Sequence, residues 1–580
     1  MEKRFFLALS LSIAVFLLWS AYFGPPATSP APTTDAVDIP ASETPGTASL
    51  FGKTGTVESE PDNQPTANWS ADPGIVDSSA SDDPSAEPIP IPQQRTLTVD
   101  TPLYSAQIDT LGGHIVSWKL KDHMDKHGDV IEMIPDPPPS FYPGDVRINN
   151  QTVFNHIVFR ADTETDTLTV DPENHASVTL TATLPSGEQV EKTFVFNGDT
   201  YLLNLNLLLK NNGTNSLDGR IDYLLPERLI LKTGKHVPNK YIRSGPVIWV
   251  GRDRELPKAK KVTTRMDYPN AQWAAYQEDY FFAGIIPIQP ATGFVEPVSI
   301  GYLPDTEPTA ITGITIATRM INPGDAVSQT IHMVIGPKKY DQLEQLNLGI
   351  ENIVDFGWIE ILGKIFYVII MFSVTYLKNY GLSIILITIC VKLILFPLSQ
   401  KQMNSMKKMQ TIQPQMKAIQ EKYRKEPQKQ QQELSRLYKE HGVNPMGGCL
   451  PMFIQFPVFI ALYQVLMNLI EMRGAGFLWV RDLSQPNIPL VILMGITMIV
   501  QQKMTPTTGD PRQARMMMFL PIIFTAMFWS FPSGLVLYWL TNNVLTIGQQ
   551  MLMNRSQAVP GGEAGEKKLK ARTRRKLENQ

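Results

Sequence analysis

Residues 361–398 read ILGKIFYVIIMFSVTYLKNYGLSIILITICVKLILFPL and determine how the chain is arranged in a membrane. They contain two apolar runs, Ile361–Leu377 and Leu382–Leu398, and each is about long enough to span a bilayer. If both runs spanned, residues 399–447 would lie on the outer side. That segment carries 10 basic and 4 acidic residues, and loops rich in Lys and Arg stay on the cytoplasmic side. One of the two runs therefore does not cross the bilayer.

The first run is predicted to form an amphipathic helix in the outer interface. The helix is expected at 356–377, within a segment 346–379, with Trp358 and Lys364 at the level of the lipid headgroups. The second run, Tyr380–Leu398, is then a transmembrane helix. Four more spans are predicted at about 448–470, 488–503, 516–531 and 534–553, so that residues 380–555 form a five-helix core.

A further transmembrane helix is predicted at the N-terminus, residues 1–23. Lys3 and Arg4 precede the apolar run Phe5–Phe23, and no convincing small-x-small cleavage site follows it. This favours an uncleaved signal anchor over a cleaved signal peptide, with the N-terminus held in the cytoplasm. We therefore predict a polytopic α-helical membrane protein with six transmembrane helices and both termini inside.

Charge is distributed unevenly along the 580 residues, although the net charge is only −3. Residues 1–355 hold 26 basic and 44 acidic side chains, whereas 356–580 hold 26 basic and 11 acidic ones. The hydrophobic content of 43% excludes a disordered protein. Both cysteines, Cys390 and Cys449, lie in apolar stretches, which leaves no disulfide framework for the acidic part.

Two segments are predicted outside the membrane after the signal anchor. Residues 24–94 carry 13 prolines and 11 acidic residues, a composition typical of a disordered linker. Residues 95–345 contain short runs with period-2 alternation, such as Val178–Leu184 and Leu203–Leu207, separated by turn signals such as Asn197-Gly198-Asp199. This pattern predicts an all-β sandwich domain.

Residues 399–443 are predicted to form a cytoplasmic helical hairpin, because Glu426-Pro427 interrupts two helical segments. The first segment carries apolar side chains at mostly helical spacing: Met403, Met406, Ile412, Met416, Ile419 and Tyr423. This face either packs the two helices together or offers an adaptable surface to varied apolar partners. The sequence leaves both interpretations open.

Lys392 is the one formal charge within the apolar cores of the five C-terminal spans. A charge at that depth costs about 2.5–3.5 kcal/mol on insertion scales and usually marks a cavity or an ion path. Thr388 adds a hydroxyl one turn earlier, which favours a wet interior site over a side chain that snorkels to the cytoplasmic interface. Prolines that kink helices and other polar residues in the spans predict a hydrated groove: Pro397, Pro451, Pro457, Pro521, Gln455, Thr497, Gln501, Thr525, Thr541, Asn542 and Asn543.

Motifs for catalysis or cofactor binding are absent from the sequence. It has no P-loop, dinucleotide fingerprint or hydrolase serine elbow, and no cofactor is predicted. His123 and His127 have a helical spacing for a metal, but no third ligand is in view, so structural roles are predicted. The basic tail 556–580 either binds RNA or anionic lipid through its charge or sets the topology.

Three motifs in the C-terminal half resemble the YidC family of membrane-protein insertases. They are Asn444–Cys449 (NPMGGC) followed by Gln455-Phe456-Pro457, Gln502–Thr508 (QKMTPTT), and Phe531–Tyr538 (FPSGLVLY). The resemblance covers about 355–555. Together with the signal anchor and the β domain, the layout resembles the Gram-negative form, whose periplasmic domain is a β-supersandwich similar to that of sugar mutarotases.

The resemblance implies a protein of the bacterial inner membrane that is not an enzyme. It would receive hydrophobic segments of nascent membrane proteins from the ribosome or the Sec translocon, and release them sideways into lipid without ATP. Anionic lipids and the signal recognition particle with its receptor are further implied partners.

The resemblance also implies the site residues. A cytoplasm-open groove would contain Lys392, Thr388, Gln455, Tyr538 and Asn542. The family most often has Arg at the place of Lys392, and Ser530 stands where it commonly has Trp. A sliding surface for the apolar segment would be formed by Met452, Phe453, Phe524 and Phe528. Ribosome and targeting contacts would come from Lys407, Lys408, Lys422, Arg424, Lys425, Arg572, Arg574 and Arg575.

Two other functional classes stay open on the sequence. A secondary transporter would use the buried cation, but the spans contain no buried carboxylates and no visible repeat symmetry. A membrane-tethered carbohydrate-active enzyme would use the mutarotase-like domain. Ion or solute flux that requires Lys392 would favour the transporter. Loss of membrane-protein insertion on deletion of residues 95–335 would count against an accessory role of the β domain.

Overall fold

A computed structural model gives the fold of the chain. The structure describes residues 93–555 except for 126–127, 135–138, 140, 149–153, 227, 230–243, 279, 298–309, 358, 443–449 and 505–510. The predicted signal anchor 1–23, nearly all of the linker 24–94, and the tail 556–580 lie outside the described residues.

Residues 96–337 form a domain rich in β-sheets, with three sheets in the described part of the chain. The first sheet has the order β4-β3-β2-β1-β7: β1 Thr96–Asp100, β2 Tyr104–Asp109, β3 His114–Met124, β4 Val130–Glu132 and β7 Thr167–Thr169. The second has the order β13-β12-β15-β16-β19-β10-β9-β8-β6: β6 Arg160–Ala161, β8 His175–Thr183, β9 Gln189–Asn197, β10 Leu202–Lys210, β12 Gly245–Val250, β13 Asp253–Glu255, β15 Ala271–Glu278, β16 Phe281–Pro287 and β19 Ala326–Pro337. The third has the order β14-β17-β18-β11-β5: β5 Val146–Ile148, β11 Arg220–Leu225, β14 Met266–Pro269, β17 Thr292–Pro297 and β18 Ala310–Ala317.

The core of this domain follows the alternation seen in the sequence. On β10, alternate residues are buried: Leu203, Leu205, Leu207 and Leu209. The rings of Trp118 on β3 and Phe196 on β9 lie 6.4 Å apart, which joins the first sheet to the second. A Cβ at Gly293 on β17 would lie 2.7 Å from Ile248 on β12, so the second and third sheets approach closely there. The predicted all-β domain is therefore confirmed as a domain rich in β-sheets.

The remainder of the described chain is helical. Its helices are α1 Tyr340–Gln345, α2 Glu360–Leu377, α3 Tyr380–Ile394, α4 Phe396–Lys422, α5 Pro427–Glu440, α6 Leu450–Asn468, α7 Ile488–Met504, α8 Pro511–Met527 and α9 Ser533–Arg555. Among the described residues, α2 is the one single helix long and apolar enough to cross a membrane. The pair α3 and α4, bent by 61° between them, also passes this test as one broken span. The six-span arrangement stays a prediction.

The predicted helix boundaries were wrong at two places. The helix expected at 356–377 begins at Glu360, because the chain before it forms a short 3-10 turn at Ile350–Ile353 and then extends. Trp358 lies outside the described residues. The helix expected at Tyr380–Leu398 ends at Ile394, and Pro397 sits in the first turn of α4. Proline has no N–H for a helix interior but is tolerated in a first turn, so it starts a new helix.

The helical hairpin formed by α4 and α5 is held together by apolar side chains. Ile412, Met416 and Leu437 are buried between the two helices, and Ile419 and Tyr438 pack against them. The packing role of the Met face is therefore observed for Met416. Met403 is half-buried, and the side chain of Met406 lies outside the described part of the structure.

One end of the helical bundle lies against the β domain. The Arg473 guanidinium, after α6, stands 5.5 Å from the ring centre of Phe281 on β16. The Asn379 side chain, at the start of α3, donates to the Gly476 carbonyl at 3.3 Å. The Gly534 N–H, at the start of α9, donates to the Leu483 carbonyl at 2.9 Å. Helices α3 and α9 thus begin, and α6 ends, at the end of the bundle nearest the β domain.

The segment 346–357, called the connector below, joins the β domain to the bundle. The Arg254 guanidinium on β13 lies 2.9 Å from the Asp355 carboxylate and donates to the Val354 carbonyl at 3.3 Å. The Trp273 indole donates to the Gly349 carbonyl at 3.0 Å. The Asn468 amide on α6 donates to the Asp355 carbonyl at 2.8 Å. The connector is therefore bonded on one side to the β domain and on the other to α6.

Candidate functional site

A column of polar side chains runs along one face of α9. It consists of Tyr538, Asn542, Thr546 and Gln549, spaced four, four and three residues apart. Residues at this spacing lie above one another on a helix. Each member of the column is hydrogen-bonded to a side chain of α3, α4 or α6, and Asn542 and Thr546 share one partner, Lys392.

The Lys392 ammonium on α3 binds the middle of this column. Its Nζ donates to Thr546 Oγ1 at 2.7 Å and to Asn542 Oδ1 at 3.4 Å. Both acceptors are neutral, and no described carboxylate forms an ion pair with Lys392. The positive charge is therefore partly buried without a counter-charge in the described part of the chain. This contact with α9 differs from the snorkelling alternative, in which the Lys392 side chain would extend to the cytoplasmic surface of the membrane.

The Gln455 and Tyr538 side chains join α6 to the same column. The Gln455 amide donates to the Tyr538 hydroxyl, and Tyr538 is almost completely buried. Tyr538 lies one turn from Asn542, on the side of the β domain. The structure therefore places Gln455 against Tyr538 and Lys392 against Asn542, one turn apart along α9.

Thr388 is the predicted groove residue that does not join them. Its side chain is buried, and its hydroxyl donates to the Ile384 carbonyl of its own helix at 2.6 Å. Ser and Thr side chains inside helices commonly bond the carbonyl four residues earlier. The prediction that Thr388 presents its hydroxyl to a wet site beside Lys392 was therefore wrong.

Three residues of the site were missed by the sequence argument. Thr546 is the nearer partner of Lys392. The Gln549 amide donates to Ser399 Oγ at 2.9 Å, and the Ser399 hydroxyl donates to the Phe396 carbonyl at 2.9 Å. Extending the four-residue spacing from Tyr538 and Asn542 toward the C-terminus identifies Thr546, and one further turn identifies Gln549. Ser399 has no comparable signal in the sequence.

The predicted sliding surface is only partly present. Phe528 is fully buried, with its ring centre 5.2 Å from that of Trp539 and 5.0 Å from that of Phe531. It lies in a 3-10 turn that points it into this aromatic cluster, so its prediction as a client contact was wrong for this conformation. Phe524 is half-buried beside Phe528. The side chains of Met452 and Phe453 on α6 lie outside the described part of the structure. Exposed apolar side chains on α8 are Met518, Phe519, Ile522, Ile523 and Met527.

The predicted ribosome and targeting residues lie mainly on the helical hairpin. Lys408, Lys422, Arg424 and Lys425 are exposed around α4 and the turn after it. The side chain of Lys407 is outside the described part. Arg572, Arg574 and Arg575 lie in the C-terminal segment that the structure does not describe.

His123 has a structural environment rather than that of a metal ligand. It lies on β3, not on a helix, with its ring edge against Phe281 at 5.6 Å between ring centres. Burial, with the nearby charges of Lys339 and Arg473, lowers the pKa of His123 to about 4. His127 is outside the described residues, and the described ranges contain no cluster of metal-binding side chains.

Comparisons with known proteins agree over nearly the whole chain. Two protein-family models match: "60Kd inner membrane protein" over residues 371–560 and "YidC periplasmic domain" over residues 96–369. The Membrane protein insertase YidC of Syntrophus aciditrophicus is 35% identical over 572 residues, which cover 96% of this chain and 100% of that protein. The protein of the same name from Geotalea daltonii is 36% identical over 578 residues, covering 96% and 99%.

One similar solved structure is "Active YidC insertase crystal structure with the first transmembrane domain resolved". It is 21% identical in sequence and covers 79% of this chain and 92% of its own, with a TM-score of 0.35. The structural similarity is low at this TM-score, so the family assignment depends on the sequence relatives.

Proposed function

Because this chain belongs to the YidC family of membrane protein insertases, we propose that the polar column of α9 and Lys392 form the site that receives its clients. The chain is an insertase of the inner membrane with a periplasmic domain, and it is not an enzyme. The observation that carries the proposal is the Lys392 ammonium, which is bonded to two neutral oxygens at 2.7 and 3.4 Å and has no carboxylate partner in the described part of the chain.

The role of Lys392 follows from an exchange of hydrogen-bond partners. An acidic group in the translocated part of a client replaces the more distant acceptor, Asn542, while Thr546 keeps the ammonium in position. The present bonds already have a charged donor, and a carboxylate acceptor adds the Coulomb attraction between two opposite charges. The polar side chains of Gln455 and Tyr538 offer further hydrogen bonds, which lower the cost of taking a polar segment out of water.

The apolar part of the client leaves the site along α8 in this proposal. Met518, Phe519, Ile522 and Ile523 form an exposed apolar face there. Phe524 and the helical segment that carries Met452 and Phe453 border the route, whereas Phe528 supports it from the core. Release sideways into lipid needs no ATP, because transfer of apolar surface from water to lipid is favourable.

The proposed orientation has six spans with both ends in the cytoplasm and α2 lying in the outer interface. The contacts between the β domain and the end of the bundle where α3 and α9 begin support it, because a periplasmic β domain would lie beside the periplasmic end of the bundle. The exposed stripe of Ile361, Ile365, Val368 and Phe372 on α2 would face lipid. We also propose that the three sheets of the periplasmic domain form a supersandwich.

The cytoplasmic partners are proposed from charge. The basic surface of the hairpin, with Lys407, Lys408, Lys422, Arg424 and Lys425, would meet the ribosome or the signal recognition particle and its receptor. The tail residues Arg572, Arg574 and Arg575 would contact ribosomal RNA or anionic lipid. Cooperation with the Sec translocon is part of the same proposal. The family assignment replaces the transporter and carbohydrate-enzyme alternatives.

Insertion by Lys392 variants tests the function of the site. Full-length protein is reconstituted in vesicles and given two single-span clients that differ only in acidic residues on the translocated segment. We expect Lys392→Glu to abolish insertion of the acidic client, because like charges repel, and Lys392→Arg to retain it. The client without acidic residues is the control for folding of the variant. Normal insertion of the acidic client by Lys392→Glu would overturn the proposed role.

A further inference from the structure

A small hairpin between α6 and α7 exposes two large apolar side chains. The Phe477 N–H donates to the Val480 carbonyl at 2.8 Å, and the Val480 N–H donates back to the Phe477 carbonyl at 2.9 Å. Leu478 and Trp479 form the tip between them and are 76% and 52% exposed. Soluble surfaces seldom keep adjacent apolar residues of this size in water without a partner.

Leu478 also has an unfavourable backbone conformation. Its φ is +52°, in the left-handed region that glycine and asparagine adopt readily and a leucine does not. The conformation costs roughly 1–2 kcal/mol. A turn without another role would use Gly or Asn at this position, which would remove both the strain and the exposed apolar surface. A leucine that is both strained and exposed therefore favours a contact with a surface outside the described chain.

The hairpin is packed against the end of the bundle nearest the β domain. A Cβ on Gly381, in the first turn of α3, would lie 2.3 Å from the ring of Phe477, so the hairpin sits directly on that helix. The Asn379 side chain bonds Gly476, and Arg473 packs on Phe281 of the β domain. The tip consequently has a fixed height relative to the start of α3.

We propose that Leu478 and Trp479 are an anchor that inserts into the periplasmic leaflet of the membrane, in the region between headgroups and acyl chains. This inference rests on the proposed function for the orientation of the bundle. Tryptophan favours that region because its ring is apolar and its indole N–H can still reach a hydrogen-bond acceptor. Exposed Tyr376 at the end of α2 and Ile488 at the start of α7 provide further apolar surface at neighbouring helix ends.

A cleft beside the tip suits a lipid headgroup. It has a volume of about 290 Å³ and is lined by Trp479, Arg481 and Asn487 among others. Arg481 offers a cation to a lipid phosphate, and Asn487 lies at the N-terminal end of α7. Asp482 also lines the cleft, so its one cation and one anion match a zwitterionic headgroup such as that of phosphatidylethanolamine, with its phosphate on the Arg481 side next to an inserted indole.

The anchor would set the depth of the client site. Lys392 lies twelve residues after Tyr380 on α3, or about 18 Å along the helix axis at about 1.5 Å per residue. Because the hairpin is packed on the first turn of α3, holding its tip at the leaflet surface also holds Lys392 at a defined depth below that surface.

Depth-dependent fluorescence quenching tests the anchor. Full-length protein with Cys390 and Cys449 replaced by Ala carries one further substitution, Leu478→Cys or Trp479→Cys, and is labelled with the fluorophore NBD. It is reconstituted in phosphatidylethanolamine and phosphatidylglycerol vesicles with nitroxides at the headgroup, upper acyl chain or bilayer centre. Glu173→Cys on the β domain and Ile523→Cys on α8 are the aqueous and deep controls, since both side chains are exposed.

The anchor predicts blue-shifted emission at positions 478 and 479, with the strongest quenching by headgroup and upper-chain nitroxides. Emission and iodide quenching equal to those of the Glu173→Cys label would overturn it. So would a shielded label that no nitroxide lipid quenches, because this would indicate a protein contact. No client is present, so failure of the anchor is separate from failure of Lys392→Glu to block insertion. If the Ile523→Cys label is quenched at the bilayer centre while the tip is not quenched, the bundle is oriented as proposed and the anchor alone is wrong.

Discussion

At the scale of single residues, the position of the Lys392 ammonium is set by the side chains that accept its hydrogen bonds. Its nearer bond is to Thr546, so the direction of the ammonium depends on a hydroxyl that has no charge of its own. A hydrogen bond to a charged group contributes about 1.5–3 kcal/mol. Thr546 is therefore a positioning residue for the proposed site.

Substitution of Thr546 tests this role. Thr546→Val should lower the insertion rate of an acidic client by about tenfold, equivalent to about 1.4 kcal/mol, because Lys392 loses its nearer acceptor. Thr546→Ser should restore the rate. Thr541→Val is the matched control, since the Thr541 hydroxyl bonds the Leu537 carbonyl of its own helix. An equal loss for the client without acidic residues would show that Thr546 has only a structural role.

A second residue-scale prediction concerns His123 in the β domain. Its pKa is lowered to about 4, chiefly by burial, so the unfolded chain binds a proton that the folded domain rejects between about pH 6.5 and pH 4. The stabilising contribution is present above pH 6.5 and is lost as the pH falls. His123→Gln should flatten the decrease of the thermal midpoint over this range. His175→Gln, at an exposed position of β8, should leave the pH dependence of the thermal midpoint unchanged. The same pH dependence in the unsubstituted protein and in both variants would contradict the prediction.

At the scale of elements, the bend between α3 and α4 is joined to α9. The Gln549 amide bonds Ser399, whose hydroxyl bonds the Phe396 carbonyl at the bend. This chain of bonds connects the base of the helical hairpin to α9, whose Asn542 and Thr546 side chains accept hydrogen bonds from Lys392. A change in the angle of the hairpin would therefore shift the side chains of the polar column.

Removing this connection should loosen the first turns of α4. We expect Gln549→Leu to increase amide hydrogen exchange at residues 396–403 by about fivefold, which corresponds to the loss of about 1 kcal/mol from one buried hydrogen bond. Gln410→Leu, at an exposed position of the same hairpin, should have no effect there. Unchanged exchange in the Gln549→Leu protein would show that the bend is held by packing alone.

At the scale of the whole molecule, the connector 346–357 joins the periplasmic domain to the helical bundle. Arg254 holds it from the β domain, and Asn468 holds it from α6. The apolar core is continuous across this junction and includes Ile350, Phe356 and Phe366. The β domain is thereby joined through the connector to the helix that carries Gln455.

Arg254→Met should partly separate the unfolding of the two parts. Arg254 binds two backbone carbonyls and a carboxylate of the connector, so its loss should lower the thermal midpoint of the β domain and leave that of the bundle nearly unchanged. Differential scanning calorimetry of the full chain would measure both transitions. Arg252→Met, an exposed residue of the same turn, is the control. If the Arg254→Met protein instead unfolds in a single transition with a lowered midpoint, the β domain and the bundle are held together mainly by their shared apolar core.

Much of the site could be predicted because it depends on composition along a helix. Lys392 is a charge in an apolar run, and Gln455, Tyr538 and Asn542 are polar groups in neighbouring runs. Thr388 and Phe528 could not be placed correctly in this way. A threonine hydroxyl can bond its own helix as easily as a neighbour, and an aromatic ring near a helix end can face lipid or core, depending on a single turn of the backbone.

The amino-acid order alone determined the division of the molecule: an alternating apolar pattern for the sheets, longer apolar runs for the helices, and Pro427 as the break between the two helices of the hairpin. These features are local, because they depend on residues a few positions apart. Tertiary structure alone decided which residues meet, since Lys392 and Thr546 are 154 positions apart and Gln549 and Ser399 are 150 apart. Such pairs are set by how helices pack, and the same packing places Phe477, in the hairpin that carries Leu478 and Trp479, on the first turn of α3.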